Sequence, residues 1–467
     1  MDKFFEISER GSNVKTEIIA GLTTFFAMAY IIIVNPNQVT GFSEGLGQVW
    51  NAVYVGSILV AVAGTLIMGL YAKMPFAQAC GMGLNSFFFV SFILPELMSG
   101  GDPVEGYHAG LVIVLVSGIV FLVLSVTGAR QYIAKAMPTP LKVSVSAGIG
   151  LFIAYIGFQN VGFIQDNQYT LTQLVDIHGA IANGEVLSVV PAILAFVGFM
   201  IIVILGKRGV KGNVIIGMLT TAVLYYLIVR QAPSFDFTQV GQSFKDFVSV
   251  GLFGVFKSGA WHAAFSPELV GGIFGGIMLV VAFCLVDMFD TIGTLYGTAT
   301  EANMIDENGD PHNLDKCMMA DSTATVIGGL LGTSTCTTFV ESATGVSAGG
   351  RTGLTSVTVA CCFFICLFLS PLASIVPACA TSPALVYVGV LMLGNIKKID
   401  MTDLTSAAVG FMTVISMLLT YSIANGIGIG AITYTLITIF TGKYTKKDIM
   451  VTIIALLFVL KFCMITM

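Results

Sequence analysis

The chain has 467 residues, of which 56% are hydrophobic and 10% are charged, and its net charge is −5. Soluble domains contain about a quarter charged residues, so this composition excludes an ordinary soluble protein. The sequence has no basic stretch interleaved with aromatic residues, so we expect no nucleic-acid partner.

Eight apolar runs are long enough, or nearly so, to cross a bilayer as helices. They do not alternate as strands of a transmembrane barrel do. Residues 1–17 are polar and charged and do not read as a secretory signal. We therefore expect an all-α, multi-pass protein of the cell (inner) membrane, surrounded by the lipid bilayer. The runs are 18–34, 52–70, 109–127, 186–206, 213–229, 270–286, 353–369 and 404–421.

Basic residues concentrate in alternate short loops, which predicts the orientation. Lys3, Arg10 and Lys15 precede the first run, so the N-terminus is expected in the cytoplasm. The loops 35–51 and 159–185 contain no Lys or Arg and are expected outside. The further basic residues assigned to the inside are Lys73, Arg130, Lys135, Lys142, Lys207, Arg208, Lys211, Lys397, Lys398, Lys443, Lys446 and Lys447.

The two halves of the chain resemble each other. A proline-containing turn at 138–141 opens the run 141–158, and a similar turn at 382–385 opens a run at 384–395. Counting predicts seven spans before the loop 231–268 and seven after it. An odd number of spans per copy makes the second copy enter from the opposite side, so we predict a 7+7 inverted repeat.

One apolar run, 448–466, does not fit this repeat. It is either a fifteenth span or a helix at the membrane interface, and the sequence leaves both open.

Two segments, 74–90 and 328–350, are apolar but interrupted. Gly81 and Gly83 oppose a helix in the first, and the Thr-rich stretch 333–340 is extended in the second. Extended chain at membrane depth needs partners for its amides, so the segments must pair with each other or line a cavity. We expect two short strands, each followed by a half-helix, with the helix N-termini pointing at a central ligand.

Three carboxylates lie on or beside these interrupted elements. Glu341 starts the second half-helix, where it is either a favourable N-terminal residue or a functional group at mid-membrane. Asp287 and Asp290 are three residues apart, so they share a helix face. Two carboxyl groups together in a low dielectric suit a proton carrier, although an Asp could instead cap a half-helix or pair with Lys or a hydroxyl.

Asn85 opens the first half-helix and offers both a donor and an acceptor to a ligand, although an N-cap role alone is an alternative. Phe289 and Phe339 lie near the polar groups and either stack on a flat ligand or pack in the core. The nine cysteines show no zinc-type spacing and there is no G-x-x-x-x-G-K-[ST] motif or nucleophile constellation. We therefore expect no metal, no cofactor and no enzymatic activity.

These motifs together resemble the nucleobase–ascorbate transporter (nucleobase–cation symporter) superfamily, and in it the adenine/guanine/hypoxanthine permease branch. The resemblance covers nearly the whole chain. The motifs that carry it are Arg10-Gly11-Ser12, Thr16-Glu17, Ala20 to Phe25, Gly81 to Asn85, Asp287, Asp290 to Thr294, Glu341 to Ala343 and Gly349 to Leu354.

The resemblance implies fourteen segments divided between a core domain and a gate domain, with the third and tenth segments formed by a strand and a half-helix. It also implies a homodimer. The implied boundaries are 17–130 and 269–372 for the core, 131–230 and 373–442 for the gate, 231–268 for an extracellular loop and 443–467 for a C-terminal apolar segment.

The resemblance further implies a purine nucleobase bound between core and gate and imported by proton symport while the core slides against the gate. The implied proton-coupling groups are Asp290, Glu341 and Asp287. An anion transporter or channel of the same architecture and a xanthine or uracil permease remain alternatives, and the preferred purine and the choice between proton and sodium stay open. Together with the analysis of the interrupted segments, this gives the predicted substrate-binding residues Asn85, Asp290, Glu341, Asp287, Phe289, Phe339, Val340, Ser342 and Thr294.

Overall fold

A computed structural model describes the chain in seven stretches. Helices form most of them, and nine helices in the described part are long and apolar enough to cross a membrane, by length and composition. This confirms the prediction of a helical, multi-pass membrane protein. The predicted boundary at 130–131, with Arg130 and Lys135, lies outside the described residues. The stretches are 2–43, 45–128, 137–230, 232–233, 236–301, 304–305 and 311–464.

The first half of the chain begins with a helix that is interrupted. The run 18–34, predicted as one span, lies within the candidate span Val14–Val39, in which a turn at Ala29 and Tyr30 separates α1 from α2. Tyr30 lies beside the site described below. Helix α3 continues into a π-helical turn at Met68–Ala72. The elements are α1 (Val14–Met28), α2 (Ile31–Val39), α3 (Gly47–Ile67), β1 (Gln78–Cys80), α4 (Met82–Phe88), α5 (Pro103–Val126), α6 (Thr139–Asn160), β2 (Ile164–Asn167), β3 (Leu171–Leu174), α7 (Val186–Lys207) and α8 (Asn213–Val229).

The second half differs from expectation in two places. The stretch 231–268, predicted as a loop, contains a helix whose Asp246 accepts a hydrogen bond from Asn51 at 2.7 Å. The helix expected at 384–395 begins at Ala378, because Pro383 is accommodated inside it. The elements are α9 (Thr238–Asp246), α10 (Gly272–Glu301), α11 (Leu314–Leu330), β4 (Cys336–Thr338), α12 (Ser342–Ser347), α13 (Gly353–Cys366), α14 (Ala378–Leu393), α15 (Leu404–Leu419), α16 (Ile423–Phe440) and α17 (Ile449–Met464).

The helices pack in two groups. In the first group, α1, α3, α5, α10, α11 and α13 pack mainly on one another, and in the second group α6, α7, α8, α14, α15 and α16 do the same. Small residues allow the closest approaches. A Cβ on Gly353 would lie 1.8 Å from the carbonyl oxygen of Gly69 in the first group, and one on Gly389 would lie 2.5 Å from that of Gly150 in the second. Side chains at these positions would push the helices apart.

A two-stranded ribbon joins the interrupted segments. Strands β1 and β4 pair antiparallel, with Gln78 opposite Thr338 and Cys80 opposite Cys336. The ribbon continues at one end, where the Phe339 amide donates to the Ala77 carbonyl at 3.0 Å. Both strands are buried, so the pairing satisfies amides that no water reaches. The predicted pairing of the two extended segments is confirmed.

Helix α17, whose placement the sequence left open, runs antiparallel along α16. Tyr434 donates to Asp448 at 2.8 Å at one end, and Lys461 donates to Asn425 at 3.1 Å at the other. Its 16 residues extend about 24 Å. The segment therefore packs lengthwise on a helix of the second group.

Charged residues near the N-terminus tie it to the first group. Glu6 accepts from Lys73 at 2.7 Å and from Arg10 at 3.0 Å, and these two cations lower the pKa of Glu6 below its usual range. Arg10 also donates to the carbonyl of Lys73, at the end of the helical turn after α3. The buried Glu17 carboxylate accepts from the backbone amide of Arg351 at 2.9 Å, just before α13. These contacts give several of the sequence motifs a structural role.

Candidate functional site

A cavity of about 130 Å³ lies between the two helix groups. Its volume is several times the roughly 30 Å³ that one water molecule occupies in the liquid, so it has room for a ring-sized molecule. One side is lined by α10 of the first group and by the two interrupted segments, with Gly81, Met82, Gly83, Asp290, Gly293, Thr294, Gly297, Thr337, Thr338, Phe339, Val340 and Glu341. The second group lines it with Ser146, Ile153, Val388, Leu391, Met392, Asn395 and Lys398.

Two of the predicted carboxylates face this cavity, and we call Asp290 and Glu341 the cavity pair. Asp290 lies in the middle of α10 and is partly exposed to the cavity. Its carboxylate makes no hydrogen bond to any residue in the described part of the chain. Glu341 directly precedes α12, and its Oε1 accepts from the hydroxyl of Tyr30 at 2.6 Å. The cavity pair therefore keeps acceptor oxygens available for a ligand.

Three other predicted residues also line the cavity. Thr294 lies one turn beyond Asp290 on α10, and Phe339 and Val340 connect β4 to Glu341. Phe339 is mostly buried, whereas Val340 is 44% exposed. These side chains give the cavity one hydroxyl and two apolar surfaces next to the carboxylates.

Three predicted residues are buried away from the cavity lining. Asn85 donates to Gln38 at 3.2 Å and accepts from the Ser334 hydroxyl, so its amide is engaged inside the first group. The Ser342 hydroxyl accepts from the Ala77 amide at 3.0 Å and ties α12 to the ribbon. Phe289 is packed in the core.

Asp287 is also sealed from the cavity lining, and it faces a carboxylate that the sequence reading missed. Its Oδ2 accepts from Thr325 at 2.8 Å, while its Oδ1 has no partner among the described residues. Asp321 lies one turn before Thr325 on α11 and is fully buried. It accepts from Thr291 at 2.6 Å and from Gln78 at 3.2 Å. We call Asp287 and Asp321 the buried pair.

Threonine hydroxyls connect the buried pair to the cavity. Thr291 donates to Asp321 and lies 2.9 Å from the hydroxyl of Thr337, which lines the cavity. Thr338, another lining residue, donates to Asp321 at 3.3 Å. A continuous row of exchangeable hydroxyl protons therefore joins a sealed carboxylate to the cavity.

The residues that sequence reasoning missed had unequal signals. Asp321 is an ionisable residue inside the helical stretch 314–330, which marks a functional position by default, so the sequence did contain its signal. No sequence signal identified Tyr30, because its contact with Glu341 joins residues that are 311 positions apart. No sequence signal identified Ser146 and Asn395 either, because the two residues meet only where α6 and α14 cross.

The cavity lining contains two acidic side chains, Asp290 and Glu341, and one basic side chain. Lys398 is the basic residue among the lining side chains, and it is solvent-exposed. Within the described stretches, no group of three or more His, Cys, Asp or Glu side chains is arranged to hold a metal ion. The cavity therefore suits a small polar molecule that donates hydrogen bonds to carboxylates.

A cavity with two carboxylates, lying between two groups of apolar helices, is typical of a multi-pass membrane transport protein. Residues 15–429 match the family model described as the permease family. The chain belongs to this family, and to its nucleobase permease branch.

Similar proteins with full-length coverage include three permeases. The putative permease MJ0326 of Methanocaldococcus jannaschii is 36% identical over 99% of this chain and 98% of that protein. The adenine permease AdeP of Escherichia coli is 36% identical over 99% of this chain and 95% of its own length. The guanine/hypoxanthine permease PbuG of Bacillus subtilis is 37% identical over 95% of both chains.

Among solved structures, the fold is similar to the transmembrane domain of the cyanobacterial bicarbonate transporter BicA. The TM-score is 0.60 with 15% sequence identity, over 88% of this chain and 97% of that one. At this identity the likeness concerns the fold alone.

Proposed function

We propose that the chain is a secondary transporter that carries purine nucleobases across the membrane together with protons. The observation that carries the proposal is the cavity pair, two carboxylates facing one ring-sized cavity between two helix groups. The similarity to AdeP and PbuG, which are named for adenine and for guanine and hypoxanthine, supports purines as the substrate class.

Purine chemistry matches the lining. A carboxylate accepts two adjacent N–H groups, as guanine presents on one edge, and a protonated carboxyl group matches an edge that has a donor beside an acceptor. Phe339 offers an aromatic ring and Val340 an aliphatic surface to the flat ring system. The substrate-binding residues in this proposal are Asp290 and Glu341, with Thr294 beside them.

Proton coupling would use both pairs of carboxylates. Four acidic side chains, Asp287, Asp290, Asp321 and Glu341, lie in or behind the cavity, and burying them all as anions is costly. Protonation relieves that cost, and the threonine row offers a route between cavity and buried pair. One charge moving across 100 mV supplies about 2.3 kcal/mol, enough for roughly 40-fold accumulation.

Alternating access would follow from the two helix groups. The first helix group acts in this proposal as the core and the second as the gate, with the cavity between them. In this proposal the core carries the ligand and slides against the gate, which the predicted homodimer would hold in place. With Lys398 on the cytoplasmic side, as the positive-inside rule predicts, the cavity would be reached from the cytoplasm in this conformation.

The test is uptake of labelled hypoxanthine into proteoliposomes with an imposed pH gradient. We expect accumulation that rises with the gradient and is reduced by adenine and guanine, but not by xanthine, uracil, bicarbonate or sulfate. Inhibition by bicarbonate or sulfate alone would favour the anion-transport alternative. Uptake that depends neither on the pH gradient nor on the membrane potential would contradict proton symport.

A further inference from the structure

The gate side of the cavity carries a polar pair of its own. Ser146 lies on α6, and Asn395 lies in the turn Gly394–Lys398 that follows α14. The Asn395 side-chain amide donates to the Ser146 hydroxyl oxygen at 3.0 Å, and both residues line the cavity. The other lining side chains of this wall are apolar apart from Lys398.

The fold holds this pair in place through a close helix crossing. The backbones of α6 and α14 touch at Gly150 and Gly389. Ser146 is one turn from Gly150, and Asn395 lies just beyond the end of α14, so the crossing brings together residues 249 positions apart. Because each helix is immobilised by the other, the two residues keep their places in the cavity wall, and only the plane of the Asn395 amide turns.

The pair can present either hydrogen-bonding polarity to a ligand. With the Asn395 amide nitrogen on Ser146, the amide oxygen is free to accept. With the amide turned by 180°, the Ser146 hydroxyl donates to the amide oxygen, and the amide nitrogen is free to donate. Both arrangements preserve the hydrogen bond between the two residues.

Purines differ on the edge that contains N7 and the substituent at position 6. Adenine presents an acceptor and an amino donor there, whereas guanine presents two acceptors, and hypoxanthine has the same 6-oxo group as guanine. An asparagine matches the adenine edge with both of its groups. For a 6-oxo purine, the two N–H groups of the turned amide supply the donors, while the Ser146 hydroxyl holds the amide in this orientation by donating to its oxygen.

We infer that Asn395 and Ser146 read the position-6 edge of the purine from the gate, across the cavity from the cavity pair. The pair is a specificity-determining contact that accepts both 6-amino and 6-oxo purines because its amide turns. This inference rests on the proposed purine transport.

The test compares competition by adenine and hypoxanthine against one labelled purine in proteoliposomes. Asn395→Asp replaces the turnable amide with a group of almost the same shape that accepts only. Its carboxylate still accepts from the adenine amino group and repels a 6-oxo group, so we expect the adenine preference to rise by roughly tenfold. Ser146→Ala removes the hydroxyl that donates to the turned amide, so it should weaken binding of the 6-oxo purine and shift the ratio in the same direction, by less.

Asn183→Asp, an exposed change far along the chain from both residues, is the matched control and should keep the unmodified ratio. If Asn395→Asp is inactive with both purines, Ser146→Ala decides the question. Unchanged ratios in active variants would overturn the inference while leaving purine transport intact. Failure of the unmodified chain to take up any purine would instead overturn the proposed function.

Discussion

The cavity pair and the buried pair contain the same chemical group in two different settings. Asp290 and Glu341 reach the cavity, and only one hydrogen bond from a described residue, that of Tyr30, engages their carboxylates. Asp287 and Asp321 lie behind the strand ribbon and accept from threonine hydroxyls and an amide. The difference teaches that neighbouring carboxylates of this membrane protein divide into groups that face the cavity and groups that are sealed from it by hydrogen-bonded side chains.

The largest effect should come from neutralising the cavity pair. We expect Asp290→Asn and Glu341→Gln each to lower purine affinity by about 10- to 100-fold, because hydrogen bonds to charged groups contribute about 1.5–3 kcal/mol. Binding to purified protein and uptake into proteoliposomes measure this. Asp166→Asn, on the exposed strand β2, is the control and should bind normally. Normal affinity in either cavity variant would remove that residue from the site.

Asp321→Asn probes the buried pair and should separate binding from coupling. The amide keeps the shape of the side chain but cannot exchange a proton with Asp287, so we expect near-normal purine binding with uptake that no longer follows a pH gradient. Counterflow exchange of purine, which needs no gradient, should persist. A loss of binding as severe as in Asp290→Asn would contradict the proposal that the cavity pair binds the purine and the buried pair does not.

Tyr30→Phe tests the contact that positions Glu341. It removes a 2.6 Å hydrogen bond and leaves the ring in its buried position. We expect a several-fold to roughly tenfold loss of affinity, smaller than in Glu341→Gln, because the carboxylate itself remains. Tyr54→Phe, which removes a buried hydroxyl that donates to the Cys366 carbonyl, is the matched control. Equal losses in the two variants would indicate a general packing effect.

The smallest effect concerns Glu6, a carboxylate outside the membrane helices. Its pKa is lowered by Lys73 first and Arg10 second, so its stabilising contribution is present above its usual value of 4.5 and is lost as the pH falls through the lowered pKa. Exposed ion pairs contribute at most about 1 kcal/mol. Glu6→Gln should therefore slightly speed the hydrogen exchange of residues 2–11 at neutral pH. In this variant the part of the exchange rate that depends on Glu6 should no longer change as the pH falls. Glu9→Gln, on an exposed side chain, should change neither.

Much of the site could be predicted because its signals are local. The glycines at 81 and 83 and the threonines at 333–338 break helices wherever they occur, and a carboxylate in an apolar run is conspicuous. The paired strands and the cavity pair followed from these signals. Asn85 was predicted to open the half-helix, but the helix begins at Met82 with Gly81 as its N-cap, so an N-cap role for Asn85 is wrong. Its partners Gln38 and Ser334 come from other segments, so its burial could not be foreseen.

The cavity wall formed by the second helix group could not be predicted, for a different reason. Ser146 and Asn395 are ordinary polar residues within or beside apolar helices, and only the crossing of α6 and α14 turns them toward one cavity. Similarly, the helix α9 within 231–268 was not predicted, because it packs through contacts with distant residues, such as that of Asp246 with Asn51 on α3. Periodicity identifies the helices of a membrane protein, but it does not identify which of their faces meet.

The strand ribbon also constrains how the protein is made. Gln78 and Thr338 are 260 residues apart, so β1 leaves the ribosome long before its partner exists. An extended segment without a partner cannot remain in hydrocarbon, because its amides and carbonyls would be unsatisfied. The first interrupted segment must therefore wait at the insertion machinery, in water or beside other helices until the second half arrives. The binding cavity is consequently among the last parts of the molecule to form during synthesis.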